Sequence, residues 1–499
     1  MRLRTWQREA LDSYLATSPR DWLVCATPGA GKTTFTLAVA AHLWQDHVIN
    51  RVIVVCPTDH LRSQWIAAAR GLGLDLRDTT NAEALPPDCH GCVVTYAQVA
   101  QKPALHAARA TNMRTLVIFD EIHHAGDVMS WGSGIIEAFS GAVRRLGVTG
   151  TPFRSDEARI AHVRYEEVSD GAFESVADYT YGYADALKDG VVRPVVFLAY
   201  SGQARWRNSA GEEFEARLGE PLNAEQTARA WRTALDPKGD WIAAVLQAAQ
   251  TRLTKVRGHM PDAGGLVIAT DTTTARAYAK ILQTISNTPV TVVLSDEPGS
   301  SKRIAEFSSS QDEWLVAVRM VSEGVDVPRL AVGVYATSAS TPLFFAQAIG
   351  RFVRSRMPGE SASIFLPSVP VLLRLAEEME VSRDHVLGKP HRESGWSDEL
   401  IEQANKKRSE PDEAATYESI GASAELDSLI FDGSTYGTPT MAGTDEEQDF
   451  LGLPGLLDAE QVKTLLRKRQ SEQLDAREAE EKARRAEEAA AAKEREARP

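Results

Sequence analysis

The sequence predicts an α/β protein built on two parallel sheets in tandem. Three observations predict it. A Gly-rich loop, Ala26-Thr27-Pro28-Gly29-Ala30-Gly31-Lys32-Thr33-Thr34, lies between an apolar run, Trp22-Leu23-Val24-Cys25, and a helical pattern from Phe35 to Trp44. Short, nearly all-apolar runs then recur, each followed by a helical pattern, as expected of parallel strands covered on both faces. A second series of the same kind begins near residue 261.

The chain has 499 residues, 43% of them hydrophobic, enough for roughly three domains around a sizeable core. No apolar run approaches the ~18 residues of a membrane span. The segment Met1-Arg2-Leu3-Arg4 lacks the apolar stretch of a signal peptide. A cytoplasmic protein without membrane contact is expected. Four cysteines are too few for a disulfide framework, and Cys89-His90-Gly91-Cys92 is half a zinc pattern without its second half, so it reads as a loop. The net charge of −14 is unevenly spread: residues 391–499 hold 15 basic and 26 acidic residues. The nearly neutral remainder is compatible with a local basic groove.

In chain order, Leu3, Gln7, Ala10, Leu11 and Tyr14 fall at helical spacing. The Gln7 amide can donate and accept together, as reading an adenine edge requires. In the Gly-rich loop, glycines let backbone N–H groups turn inward around phosphates, and the following helix adds its positive end. Lys32 is placed to reach the β- and γ-phosphates and the Thr33 hydroxyl to hold Mg2+. Strand patterns follow at Arg51 to Cys56, Gly91 to Tyr96 and Leu116 to Phe119. The last runs into Asp120-Glu121-Ile122-His123-His124. Polar residues thus gather after the C-terminal ends of strands, where ligands bind in such folds. Asp120 can hold the Mg2+ that Thr33 touches, and Glu121 can orient an attacking water.

Gly-Lys-Thr, Asp-Glu-x-His at residues 120–123 and Thr149-Gly150-Thr151-Pro152 resemble motifs I, II and III of superfamily-two helicases. Arg4-Thr5-Trp6-Gln7 resembles the adenine-reading element of that family. Val54 to Trp65 resembles motif Ia, and Val93-Val94-Thr95-Tyr96 the next nucleic-acid-contacting motif. Asp-Glu-Ile-His-His is most similar to the DNA-directed branch of XPB-like enzymes and restriction-enzyme motor subunits. Arg319 to Pro328 resembles motif V, and Gln347-Ala348-Ile349-Gly350-Arg351-Phe352-Val353-Arg354 motif VI.

The resemblance implies two RecA-like domains and an ATP site between them. Residues 1–198 would form the first, 199–260 a connection, and 261–390 the second. An acidic, low-core region (391–460) and a charged helical or disordered tail (461–499) would follow. The first domain would supply Arg4, Gln7, Thr27, Pro28, Gly29, Ala30, Gly31, Lys32, Thr33, Thr34, Asp120 and Glu121. Gly324 and Asp326 would approach ribose and phosphates, and Gln347 the γ-phosphate. Arg351 and Arg354, three apart on one helix face, would act as arginine fingers. His123 would couple nucleotide state to Thr149, Gly150 and Thr151, with His124 packing beside it. A nucleic-acid strand would cross Pro57, Thr58, Arg62, Thr95, Tyr96 and Thr270. Arg205-Trp206-Arg207 is a further basic–aromatic cluster that could stack on bases.

These features lead to an ATP- and Mg2+-dependent DNA helicase or translocase. An RNA-dependent ATPase is the first alternative. The second is a motor subunit that recruits a nuclease or another protein partner through its tail.

Overall fold

The computed structural model describes residues 3–126, 129–150, 159–169, 172–207, 211–294, 297, 299–318, 327–380, 386–387 and 418–496. Its strands are β1 (Asp21–Ala26), β2 (Arg51–Cys56), β3 (Leu76–Asp78), β4 (Gly91–Thr95), β5 (Thr115–Asp120), β6 (Arg144–Thr149), β7 (Arg164–Ser169), β8 (Ala172–Val176), β9 (Tyr179–Tyr181), β10 (Val195–Arg207), β11 (Glu213–Leu218), β12 (Gly264–Ala269), β13 (Val290–Val293), β14 (Trp314–Val318), β15 (Leu330–Ala336), β16 (Ala362–Pro367), β17 (Val386–Leu387), β18 (Glu418–Ala422), β19 (Glu425–Phe431), β20 (Ser434–Tyr436) and β21 (Thr440–Met441).

The first lobe is a 7-stranded sheet in the order β3-β4-β2-β5-β6-β1-β9. Its strand pairs are parallel. β2, β4 and β5 are buried at every position, which is why they read as unbroken apolar runs rather than alternating ones. Helices Lys32–Gln45 and Asp59–Arg70 follow β1 and β2. The connection order brings the C-terminal ends of β1, β2, β5 and β6 to one edge.

The second lobe is an 11-stranded sheet whose main path runs β13-β14-β12-β15-β16-β10-β19-β20. From β13 to β10 it is parallel. β19 then joins β10 antiparallel, with Phe197 opposite Ile430. β11 and β18 extend the far end of β10. A separate 3-stranded antiparallel sheet has β8 in the middle, paired with β7 on one side and β17 on the other.

The chain differs from the expected division in three places. The strand expected to close the first domain is the start of β10, and every pairing of β10 lies in the second sheet. Val195 to Ser201 are buried without a break, as in a strand whose sheet is covered on both faces, and β16 and β19 pair with its two edges. The stretch 199–260 belongs to the second lobe. Helix Asp240–Arg257 packs on it through Trp241, Val245, Ala249 and Leu253. Trp206 is buried and stacks on Phe214 at 6.1 Å, so it offers no face to a base.

The third difference is the region read as poor in core. Its described part supplies Leu426, Leu429, Ile430, Phe431, Phe450, Leu451 and Leu453 to the main core. The buried Arg252 donates to Ser363 Oγ (2.9 Å) and to the carbonyls of Leu451 (3.3 Å) and Leu453. Tyr200 donates to Glu447 Oε1 at 2.5 Å across 247 positions of sequence. Scattered apolar residues hid this core, because each fills a gap in a sheet assembled from elsewhere. Leu429→Ala is therefore expected to cost about 2–5 kcal/mol in urea unfolding; an unchanged midpoint would mean that this region is not part of the lobe. The tail is a helix, Ala459–Glu496, with Val462 and Leu466 buried near its start.

Candidate active site between the lobes

A cleft of about 450 Å3 opens between the lobes. From the first lobe it is lined by Pro28, Gly29, Gly31, Lys32, Thr33, Pro57, Leu61, Gln64, Asp120, Glu121, His124 and Gly150. From the second come Pro328, Gln347, Gly350, Arg351, Arg354 and Ser355. Residues distant in sequence meet here because each follows the C-terminal end of a strand or lies across the lobe boundary.

The Gly-rich loop connects β1 to the helix that starts at Lys32. Gly29 and Gly31 have φ of 80° and 95°, a conformation an L side chain rarely adopts. A Cβ on Gly31 would meet Gln7 Nε2 at 2.7 Å, and one on Gly29 would meet Arg354 Cγ at 3.0 Å. The loop is held from outside by the helix Thr5–Thr17. Arg4 Nη1 donates to the carbonyls of Gly29 (3.1 Å) and Ala30 (2.6 Å). Trp6 Nε1 donates to Ala30 O at 3.2 Å and Gln7 Nε2 to Gly31 O at 2.9 Å. Tying these carbonyls outward leaves the loop's inner side to its N–H groups.

Gln7 therefore stands differently from its expected role. It is buried, its oxygen accepts from Arg4 N at 2.8 Å, and its amide N–H goes to the loop. Arg4 and Gln7 brace the loop, and neither lines the cleft. Thr27 and Ala30 are buried and Thr34 is partly buried.

Lys32 Nζ makes a 2.8 Å ion pair with Glu121 Oε1 and donates to Ala26 O at 3.2 Å. Glu121 follows β5 with φ 47°, a left-handed conformation that costs a non-glycine residue about 1–2 kcal/mol. Its other oxygen, Oε2, accepts from Gly150 N at 3.0 Å and Thr149 Oγ1 at 3.2 Å. Burial pushes this carboxyl up, but the Lys32 ammonium, with its own hydrogen bond and that of the Gly150 N–H, outweighs it and holds it low. Asp120 is shifted the opposite way, upward, first by burial and then by the adjacent Glu121 charge. Trp65 Nε1 donates to Asp120 Oδ2 at 2.7 Å, fixing the carboxylate's orientation.

A hydrogen-bonded chain crosses the lobe boundary. Gln347 Nε2 lies 3.2 Å from His123 Nε2, and His123 Nδ1 lies 2.9 Å from Thr149 Oγ1. Thr149 donates onward to Glu121 Oε2. A neutral His123 with its proton on Nδ1 gives every link one donor and one acceptor. The second lobe thus reaches the Glu121 carboxylate through three side chains. The His124 ring lies against that of His123 at a tilt of 41°, centroids 4.3 Å apart, and His124 also lines the cleft.

Arg351 and Arg354 reach the cleft by another route than expected. The helix Pro342–Ile349 ends before them, with Gly350 as its cap. Arg351 begins the turn beyond it, where Phe352 N donates to Ile349 O at 2.8 Å. Arg354 forms an isolated bridge with Val192. Their common direction comes from this turn, not from one helix face.

The residues expected to meet a nucleic-acid strand are only partly available. Tyr96 is fully buried and its hydroxyl donates to Asp120 O at 2.9 Å. Thr95 is buried and caps the next helix through Gln98 N. Arg62 pairs with Asp59 at 2.9 Å and Asp78 at 2.5 Å. Pro57 lines the cleft, and Thr58 and Thr270 are partly buried. Thr151, Gly324 and Asp326 lie outside the described residues. Sequence reasoning placed Trp65, Leu61, Gln64 and Pro328 only within motif-like stretches and missed the Trp65 indole's bond to Asp120 and the cleft positions of Leu61, Gln64, Pro328 and Ser355.

Two RecA-like lobes with such a cleft define a helicase-like motor fold. A family model described as the res subunit of type III restriction enzymes matches residues 1–154. "Uncharacterized protein Rv2917" of Mycobacterium tuberculosis is 62% identical over 475 residues, covering 95% of this chain and 79% of that protein. "Uncharacterized protein ML1624" of Mycobacterium leprae is 60% identical over 478 residues, covering 95% and 80%. The chain belongs to the family of these mycobacterial proteins, a superfamily-two helicase-like family. The "DNA 3'-5' translocase XPB2" of Sulfurisphaera tokodaii is 24% identical over 381 residues, covering 71% of this chain and 79% of that protein. Among solved structures, a fragment of a putative HsdR subunit of a type I restriction enzyme from Vibrio vulnificus YJ016 shares the fold, with a TM-score of 0.51 at 16% identity. That match covers 75% of this chain and 66% of the other. Among the described residues, no helix is long and apolar enough to cross a membrane.

Proposed function

We propose that this protein is an ATP-dependent DNA translocase or helicase. The observation that carries the reading is the convergence of Lys32, Thr33, Asp120 and Glu121 with Gln347, Arg351 and Arg354 on one interlobe cleft. The residues fit ATP and Mg2+. The Thr33 hydroxyl and Asp120 carboxylate are hard oxygen donors suited to Mg2+. The glycine positions of the loop leave a cradle that side chains would fill.

Bound MgATP would supply the electrophilic phosphorus and neutralise charge on the phosphates. Lys32 would exchange Glu121 for phosphate oxygens. Glu121, released from that pair, would orient a water and accept its proton at Oε1 or Oε2. Arg351 and Arg354 would bring positive charge from the opposite lobe, and Gln347 would report lobe closure to Glu121 through His123 and Thr149. Closure and reopening around this cleft would move the lobes along a strand.

DNA as the track is supported by the resemblance of Asp120 to His124 to the DNA-directed branch and by the distant likeness to an XPB translocase. The test is hydrolysis with DNA or RNA added, followed by strand displacement on forked, 3′-tailed and 5′-tailed duplexes. Stimulation by RNA alone would overturn the DNA reading. A second reading, a motor subunit working beside a separate nuclease, is supported by the family match of residues 1–154.

The brace on the loop gives a further expectation. Arg4→Ala should raise the KM for ATP about 3- to 10-fold while kcat changes little, because loop order contributes to binding before the chemical step. A lower kcat with unchanged KM would contradict this role.

A further inference from the structure

The structure assigns to Arg193 a positioning role: it ties the segment joining the lobes to the turn that carries Arg351 and Arg354. This inference rests on the ATPase reading above. Arg193 lies between β9, the last strand of the first sheet, and β10 of the second. Its side chain is buried at 1% exposure, so each of its contacts replaces water.

Three groups of contacts meet there. Arg193 Nε donates to Phe352 O at 2.6 Å, and Arg193 N donates to Val353 O at 2.8 Å. The two carbonyls of the turn between Arg351 and Arg354 are thus held by one residue. Nη2 donates to Leu330 O at the start of β15, and Nη1 pairs with Glu360 Oε2 at 3.4 Å. On the other side, the Tyr183 hydroxyl donates to Arg193 O and accepts from Val195 N, each at 3.0 Å. Tyr183 begins a helix two residues after β9.

Phe352 and Val353 are themselves in the core, at 0% and 3% exposure. Phe352 fits only because Gly333 has no side chain: a Cβ there would meet its ring at 2.6 Å. The turn therefore alternates cleft-facing Arg351, two buried anchors, and cleft-facing Arg354. Arg193 grips the backbone of the anchors. Any swing of the joining segment as the lobes move is passed to the turn rather than absorbed by a slack linker. The Arg fork spreads Nε, Nη1 and Nη2 over two carbonyls and a carboxylate, whereas a Lys ammonium offers its three donors from a single point.

The experiment is steady-state ATP hydrolysis by the full chain carrying Arg193→Lys. Lysine keeps the charge beside Glu360 and loses the fork. The expected result is a kcat roughly 10- to 100-fold lower with KM for ATP within about threefold, as a displaced catalytic turn requires. Combined with Arg351→Ala and Arg354→Ala together, the same change should add less than about twofold, since both fingers it places are gone. Full additivity, or an unchanged kcat, would overturn the proposal.

Tyr183→Phe is the second variant, for a case in which Arg193→Lys lowers the urea midpoint. It removes one hydroxyl, and kcat is expected to fall about 3- to 10-fold with the same non-additivity. Normal kcat in Tyr183→Phe would also overturn the proposal. Absence of hydrolysis in the unaltered protein would overturn the underlying ATPase reading instead, so the two failures are separate results.

Discussion

Lys32→Ala is expected to lower ATP turnover at least about a hundredfold, the scale set by loss of one preorganised charge donor at a transferring group. The prediction follows from where the ammonium is held. Lys32 is largely buried, bonded to Ala26 O, and paired with Glu121 at the cleft wall. Its stem is fixed by the start of a helix behind a loop that four hydrogen bonds hold in place. Alanine removes the group that would meet the phosphates and also leaves the Glu121 carboxylate without its counter-ion. ATP hydrolysis and equilibrium nucleotide binding measured together check this. Turnover near the unaltered level would sink the assignment of this cleft as the ATP site.

Glu121→Gln should bind ATP at least as well as the unaltered protein and turn it over about 10²- to 10⁴-fold more slowly, as loss of a general base does. Glutamine fits the same space and can still accept from Gly150 N and Thr149. It cannot take a proton from water, and its neutral amide holds Lys32 less strongly, which favours exchange onto phosphate. A pre-steady-state measurement separates the effects: the variant should accumulate bound, unhydrolysed ATP. Persistent turnover would place the water-orienting role on another residue.

Much of this was legible in the sequence, for an identifiable reason. Residues 26–34, 120–123 and 347–354 are contiguous, so each short stretch carries its own chemistry. The strands of the first lobe were legible because both faces of each are apolar. What was hidden depends on partners far away. Trp65 on Asp120, the chain from Gln347 to Glu121, and Arg193 on Phe352 join residues that no local spacing links. Gln7 shows the opposite case: its side chain suggested a base contact, and an internal cap and a loop carbonyl take up the group. Tyr96 and Trp206 looked like exposed aromatics because local sequence does not reveal what covers a ring.

β10 also dictates how the chain must be made. Its first half is flanked by β16 and β19, both synthesised long after it, and the Tyr200–Glu447 bond closes only after 247 further positions. The first lobe needs nothing beyond β9 to complete its sheet, so it can fold while synthesis continues. The second cannot close its central strands until most of the chain has left the ribosome, and an apolar strand then waits with both edges open. Early termination before β19 would yield a sound first lobe joined to an aggregation-prone second one. The apolar surface of that incomplete lobe, rather than any lost catalytic group, would be the feature that chaperones and proteases meet.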